Sequence, residues 1–236
     1  MRVSFVSDVH GNIGALREVA RGAEQLVVLG DLIDYVDYHD AADGILGRIF
    51  GARRVQPFID LRLAGDFERL RRLNRDLWDS IPDPVGTLTD VVAALYRDVV
   101  DAVGPDTLLT LGNVDVADLW NEVAGGRLPY LDGEVVELAG RRLGFVAGGA
   151  SRRPGSVFGG PSSVWRPFVR SREDYGAAVA ALGPVDILCS HVPPAIPLLR
   201  YDVVPGRLEM CGPGLVEAID EHRPALSVHG HVHQPI

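Results

Sequence analysis

Short apolar runs alternate along the chain with longer amphipathic stretches, which predicts strands alternating with helices. Residues 2–7 form the first predicted strand, and an amphipathic helix follows it to about residue 24. Further strands are predicted at 26–29, 107–111, 134–138, 142–147, 185–189 and 225–228. Further helices are predicted at 85–103, 172–182 and 213–222. This alternation indicates a layered α/β fold.

A long extra segment, residues 36–84, separates the second predicted strand from the third. It carries mixed charges and helical stretches around 41–50 and 60–80, so we interpret it as a cap inserted into one domain that spans residues 1–236. We expect Asp40 to cap the helix that follows it. Arginines alternate with acidic residues at helical spacing in this segment, which predicts a solvated face with salt bridges. These arginines are Arg62, Arg69, Arg71, Arg72 and Arg75.

Composition narrows the class of protein. Hydrophobic residues make up 47% of the chain and charged residues 23%, and no run approaches the roughly 20 apolar residues of a membrane span. The N-terminal residues enter a strand pattern without a separate apolar targeting region, so we expect a cytoplasmic protein. The net charge of −9 disfavours an extended nucleic-acid surface. The two cysteines do not form a disulfide framework.

Polar residues suited to metal binding follow five of the predicted strands. In α/β sheets, ligands bind beyond the carboxyl ends of the strands, so these side chains are expected to converge. The candidate metal ligands are Asp8, His10, Asp31, Asn113, His191, His231 and His233. Carboxylate, imidazole and amide donors suit divalent metals, and this set is too rich for one ion. A carboxylate such as Asp31 can bridge two ions about 3.5–4 Å apart, an arrangement suited to phosphate ester hydrolysis.

The same residues form a series of motifs that resembles the calcineurin-like metallophosphoesterases over nearly the whole chain. The motifs are Asp8-x-His10, Gly30-Asp31, Gly112-Asn113, His191 and Gly230-His231-x-His233. The resemblance implies a layered α/β-β/α sandwich of two mixed sheets flanked by helices. It also implies two divalent or trivalent metal ions, namely manganese, iron or zinc, and a small phosphorylated substrate.

The resemblance further assigns the ligands to two ions. It implies that Asp8, His10, Asp31 and His233 hold the first metal. Asp31, Asn113, His191 and His231 would hold the second. Asp8, His10, Asp31, Asn113 and His191 would form the catalytic core.

Two departures from the family pattern refine the expected chemistry. Many members carry a histidine after Gly-Asn that protonates the leaving group, whereas this chain has Val114, which cannot transfer a proton. The sequence Gly112-Asn113-Val114-Asp115 resembles the bacterial and archaeal phosphodiesterase-like branch that lacks this histidine. Tyr35 stands where protein Ser/Thr phosphatases carry an arginine, which disfavours protein phosphatase activity.

We therefore expect a phosphodiesterase in which a hydroxide that bridges the metals attacks phosphorus without a protein general acid. Two alternatives stay open: a phosphomonoesterase that acts on a small metabolite, and a non-catalytic metal-binding scaffold like the retromer subunit of the same fold. Family members usually continue into further strands after the last ligand. We expect either a longer chain or a shorter sheet here.

Three more residues are candidates for substrate binding, and one for orienting a ligand. Asn12 either contacts the substrate phosphate or caps the following helix. Arg152 and Arg153 follow Gly-Gly-Ala after a strand and either reach a phosphate or carry surface charge. Asp34 is expected to orient a metal-bound histidine.

Overall fold

The computed structural model describes residues 1–151, 163–200 and 209–233. Its strands in chain order are β1 (Val3–Val6), β2 (Gln25–Leu29), β3 (Leu108–Thr110), β4 (Glu134–Leu138), β5 (Arg141–Val146), β6 (Gly149–Ala150), β7 (Val169–Arg170), β8 (Ile187–Ser190) and β9 (Leu226–Val228). Its α-helices are α1 (Ile13–Gly22), α2 (Gly44–Phe50), α3 (Ala52–Leu63), α4 (Phe67–Trp78), α5 (Pro84–Ala102), α6 (Ala117–Val123), α7 (Arg172–Ala181) and α8 (Leu215–His222).

Two sheets pack face to face at the centre of the molecule. The first has the order β1-β2-β3 and the second the order β4-β5-β8-β9. Val27 and Leu29 of β2 pack in one buried cluster with Leu143 and Phe145 of β5 and with Cys189 of β8. The alternation of side chains along each strand therefore places one face of each sheet in this shared core.

Helices cover the outer face of each sheet. Leu26 and Val28 of β2 belong to a large cluster with residues of α1 and α5, while Leu188 of β8 packs with Tyr175 of α7 and Leu215 of α8. The layers are thus helix, sheet, sheet, helix, which confirms the predicted fold class. One detail differs from the expectation of two mixed sheets. The described strands of the first sheet are all parallel, and the antiparallel pair β4-β5 makes only the second sheet mixed.

The inserted segment forms three helices, α2 to α4, rather than one helix over 41–50 and another over 60–80. The helical stretch predicted around 60–80 is divided because the chain turns at Gly65, whose φ is 71°, and Asp66 then caps α4 by accepting from the amide of Arg69. Asp43, not Asp40, caps α2. Asp40 instead accepts from the amide of Ala42 within the preceding turn.

The helices of the insertion pack into the same core as the first sheet. Ile45, Phe58 and Trp78 are buried in the cluster that contains Val28 and Leu109. The description of residues 36–84 as a cap on a single domain stays a prediction. Among the described residues, no helix combines the length and apolar character needed to span a bilayer.

Helix α6 was missed by the sequence analysis. It has seven residues, and its N-cap, Val116, makes no side-chain capping bond. Its buried side chains include Trp120, which is fully buried against Tyr96 of α5. Tertiary packing, rather than a local start signal, therefore holds this helix.

Candidate metal centre

The candidate ligands occupy tight loops directly after the strands. Asp8, His10, Asp31 and His231 adopt φ values of 56°, 45°, 50° and 69°. Positive φ is uncommon outside glycine, costs free energy, and recurs at functional sites. The amides of Asp8 and His10 donate to the carbonyls of Gly30 and Asp31 at 3.0 and 2.9 Å, so the loops after β1 and β2 are bonded to each other. The first and second strand ends are thereby held in register.

One group of donor atoms consists of Asp8, His10 and His233. His233 Nε2 lies 3.0 Å from Asp8 Oδ1 and 3.2 Å from His10 Nε2. On the opposite edge of its ring, His10 Nδ1 lies 2.6 Å from Asp34 Oδ1, so Asp34 makes the orienting contact expected of it. The carboxylate of Asp8 also accepts from the amide of His231, which connects the first strand end with the last. These contacts aim the Nε2 atoms of both histidines at one point.

A second group consists of Asp31, His191 and His231, with Asn113 beside it. His191 is fully buried, and its Nδ1 donates to the carbonyl of Leu29 at 2.7 Å. The other ring nitrogen, Nε2, then faces Asp31 Oδ2 at 3.1 Å and Asn113 Oδ1 at 3.0 Å. A neutral imidazole would point a lone pair at two oxygen atoms, so the arrangement calls for a positive charge between them.

The electrostatics of the centre favour a cation. Burial opposes protonation of His191, yet the charge and hydrogen bond of Asp31, with Asp8 nearby, raise its pKa to about 9. The pKa of Asp8 is held well below its usual range even though burial acts against this, because His10 and His233 bond to it. The buried carboxylates therefore attract positive charge. Together with the oxygen and imidazole donors, this fits divalent metals.

Asp31 lies between the two groups. Its Oδ2 is 4.0 Å from His10 Nε2 and 3.1 Å from His191 Nε2, and its Oδ1 accepts from the amide of Val114 at 3.0 Å. The neighbouring Asp115 is fully buried and accepts from the amides of Leu32 and Gly112 at 3.0 and 2.7 Å. Asp115 thus ties the loop after β3 to the loop after β2. It had been noted only as the last residue of the Gly-Asn-x-Asp motif.

Close backbone approach is required at two glycines in these loops. Gly30 has φ 83°, and a Cβ there would overlap the backbone of Gly112. A Cβ on Gly112 would overlap both the amide and the carboxylate of Asp31. The glycines before Asp31 and Asn113 are therefore explained by the contact between the two loops.

An open cleft of about 1460 Å³ lies over the centre, between the strand ends and the inserted helices. Asn12 caps α1 by accepting from the amide of Ala15, and it also lines the cleft; a contact with the substrate phosphate stays a prediction. Arg152 and Arg153 fall outside the described residues. Glu209 was not singled out from the sequence, yet its Oε2 lies 3.3 Å from His231 Nε2. No motif surrounds it that could have revealed this.

The arginines predicted to form a solvated face are exposed at positions 69, 71, 72 and 75. Arg69 and Arg72 pair with Asp66 and Glu68 on the surface of α4. Three arginines of the inserted segment, one on α3 and two on α4, also line the cleft. They are Arg62, Arg71 and Arg75.

Tyr35 anchors the inserted helices beside the centre. Its hydroxyl donates to Asn74 Oδ1 at 2.6 Å and accepts from Trp78 Nε1 at 2.8 Å, and its ring packs against Trp165. Burial raises the pKa of Tyr35 to about 12 despite both hydrogen bonds. A position that carries an arginine in protein phosphatases therefore serves here as a neutral link to α4.

Comparisons with known proteins agree with the geometry. No curated protein matches the chain. The family model for calcineurin-like phosphoesterases matches residues 1–235, and the chain therefore belongs to the calcineurin-like phosphoesterase family.

Proposed function

We propose that this metal-dependent phosphoester hydrolase is a phosphodiesterase with a binuclear centre and no protein general acid. The observation that carries the proposal is Val114, whose apolar side chain follows Asn113 at the centre. An apolar group cannot protonate a leaving group, so the enzyme should favour esters whose alcohol leaves readily.

The proposed ligands divide between two ions. Asp8, His10, Asp31 and His233 bind the first, and Asp31, Asn113, His191 and His231 bind the second. The division is supported by the two donor groups, within each of which the ligand atoms lie no more than 4.8 Å apart. It is supported also by the position of Asp31 between His10 and His191. We propose manganese, iron or zinc as the metals.

Bound metals would supply a nucleophile at neutral pH and neutralise charge on the phosphoryl oxygens. The chain's own residues position the centre. Asp34 orients the ring of His10, and the carbonyl of Leu29 orients the ring of His191. Asp115 holds the backbone that presents Asn113. Asn12, at the N-terminal end of α1, is proposed to contact the substrate phosphate.

The test uses purified protein loaded with manganese. Bis(p-nitrophenyl) phosphate should be hydrolysed faster than p-nitrophenyl phosphate, and Asp31→Ala and His191→Ala should each abolish turnover. A protein that binds metal but hydrolyses neither ester would contradict the proposal and point to a binding scaffold instead. Metal analysis of the same preparation gives the number and identity of the ions.

A further inference from the structure

The part of the cleft wall that α4 contributes, here called the basic wall, carries two arginines. Arg71 and Arg75 lie one helical turn apart on α4, and both line the cleft with exposed side chains. Like charges at this spacing destabilise a helix slightly, because the side chains are neighbours. An anion bound between the two guanidinium groups would relieve that repulsion.

The two arginines differ from their neighbours on the same helix. Arg69 and Arg72 pair with Asp66 and Glu68. Within the described part of the chain, no ion pair or hydrogen bond is found for Arg71 or Arg75. The positive charges of Arg71 and Arg75 are thus not paired with any described residue.

Acidic side chains on the same side of the cleft are engaged by other groups. Asp37 accepts from the amides of His39 and Asp40. Asp43 binds Arg48 at 2.9 Å. Among the described residues, neither carboxylate forms an ion pair with Arg71 or Arg75.

The basic wall is attached to the metal centre through a short chain of contacts. Asp34 contacts His10, the next residue Tyr35 bonds to Asn74, and Asn74 lies between Arg71 and Arg75 on α4. Because Tyr35 also bonds to Trp78, the face of α4 that carries both arginines is fixed toward the cleft.

The cleft exceeds the volume of roughly 300–1,000 Å³ that is typical of small-molecule sites. A single phosphate ester at the strand ends would leave the basic wall unfilled. We propose that Arg71 and Arg75 form a second anion subsite, which binds another phosphate group of the substrate while the ester is held at the metal centre. This inference rests on the proposed function, and it assigns the substrate to compounds with two separated phosphate groups.

The test compares two sugars that differ by one phosphate, fructose 1,6-bisphosphate and fructose 6-phosphate. Their dissociation constants for the manganese-loaded protein are measured by calorimetry. The wild-type chain should bind the bisphosphate about tenfold or more tightly than the monophosphate, because guanidinium groups form charge-assisted bonds to the second phosphate. The double variant Arg71→Ala/Arg75→Ala should lose most of this preference. Arg71→Gln/Arg75→Gln, which keeps more of the helical side chain, should lose it as well.

The matched control is Arg69→Ala/Arg72→Ala, which removes the same charge from the solvent side of α4. It should keep the wild-type preference and the wild-type hydrolysis of bis(p-nitrophenyl) phosphate. Equal losses in the two double variants, or no preference in the wild-type protein, would overturn the inference. Binding and turnover are separate measurements, so a protein that binds the bisphosphate through Arg71 and Arg75 but hydrolyses no ester would defeat only the proposed function.

Discussion

The backbone amide of Val114 donates to Asp31 Oδ1 at a distance of 3.0 Å. Val114, which stands where many family members carry a histidine, therefore still supports the candidate bridging carboxylate. This hydrogen bond does not depend on the side chain. At position 114, the backbone amide therefore supports Asp31, whereas only the side chain decides whether a proton can be supplied.

Val114→His should accordingly keep the support of Asp31 while adding a proton donor. We expect the hydrolysis of p-nitrophenyl phosphate to rise by up to about a hundredfold relative to bis(p-nitrophenyl) phosphate, which is the lower end of the range of general acid catalysis. The measurement is the ratio of kcat/KM for the two esters. Val114→Asn is the control, because its amide is polar but transfers no proton. An equal gain in both variants would show that polarity alone matters.

Asp34→Asn should weaken metal binding. The substitution keeps the size of the side chain but removes the charge that lies 2.6 Å from His10 Nδ1. Loss of such an orienting contact lowers metal affinity by about 10–100-fold. Equilibrium dialysis against manganese measures the change. The control is Asp40→Asn, an exposed substitution in the turn before α2, which should leave metal affinity unchanged. A similar loss of affinity in this control would show that any removed negative charge weakens metal binding.

The positions of the seven candidate ligands could be predicted from the sequence because apolar runs end directly before them. Parallel strands whose ends are marked by Asp8, Asp31 and Asn113 must bring those residues to one edge of the sheet. The structure brings all seven residues together. The sequence also indicated that Asp34 would orient a metal-bound histidine, and the structure shows that this histidine is His10.

Contacts that depend on the direction of a helix or loop were not foreseen. Helical spacing groups Arg71 with Arg75 but does not say whether that face meets solvent or a cleft, and the side chain of Tyr35 decides this by bonding to α4. Glu209 reaches His231 from a stretch without periodicity or motif. The break at Gly65 lies within a charged stretch that reads as continuous helix.

Asp115→Ala should destabilise the fold. The carboxylate is fully buried, where burial and the nearby charge of Asp31 raise its pKa to about 7, and its removal leaves the amides of Leu32 and Gly112 without their acceptor. Buried donors that lose a partner cost about 1–3 kcal/mol each, so the two amides together predict a loss of about 2–6 kcal/mol in the free energy of unfolding. Urea denaturation measures this. Asp76→Ala, on the exposed side of α4, should change stability by less than about 0.5 kcal/mol.

Gly112→Ala should damage the metal centre through sterics alone. A methyl group there would overlap the amide and the carboxylate of Asp31, and neither can withdraw, because the carboxylate is bonded to Val114 and the neighbouring loops are bonded to each other. We expect a loss of about 1–3 kcal/mol in the free energy of unfolding, as for overpacked sites. The variant should also bind fewer metal ions per chain than the wild-type protein.

The control for this variant is Gly104→Ala. A Cβ at Gly104 meets nothing within 4 Å, so the substitution should leave both stability and metal content at wild-type values. Metal analysis and urea denaturation on the two variants separate the effect of the added methyl group from that of losing glycine flexibility. Full metal content in Gly112→Ala would mean that Asp31 can shift without losing the ions, and the close approach of the two loops would then not be required for metal binding.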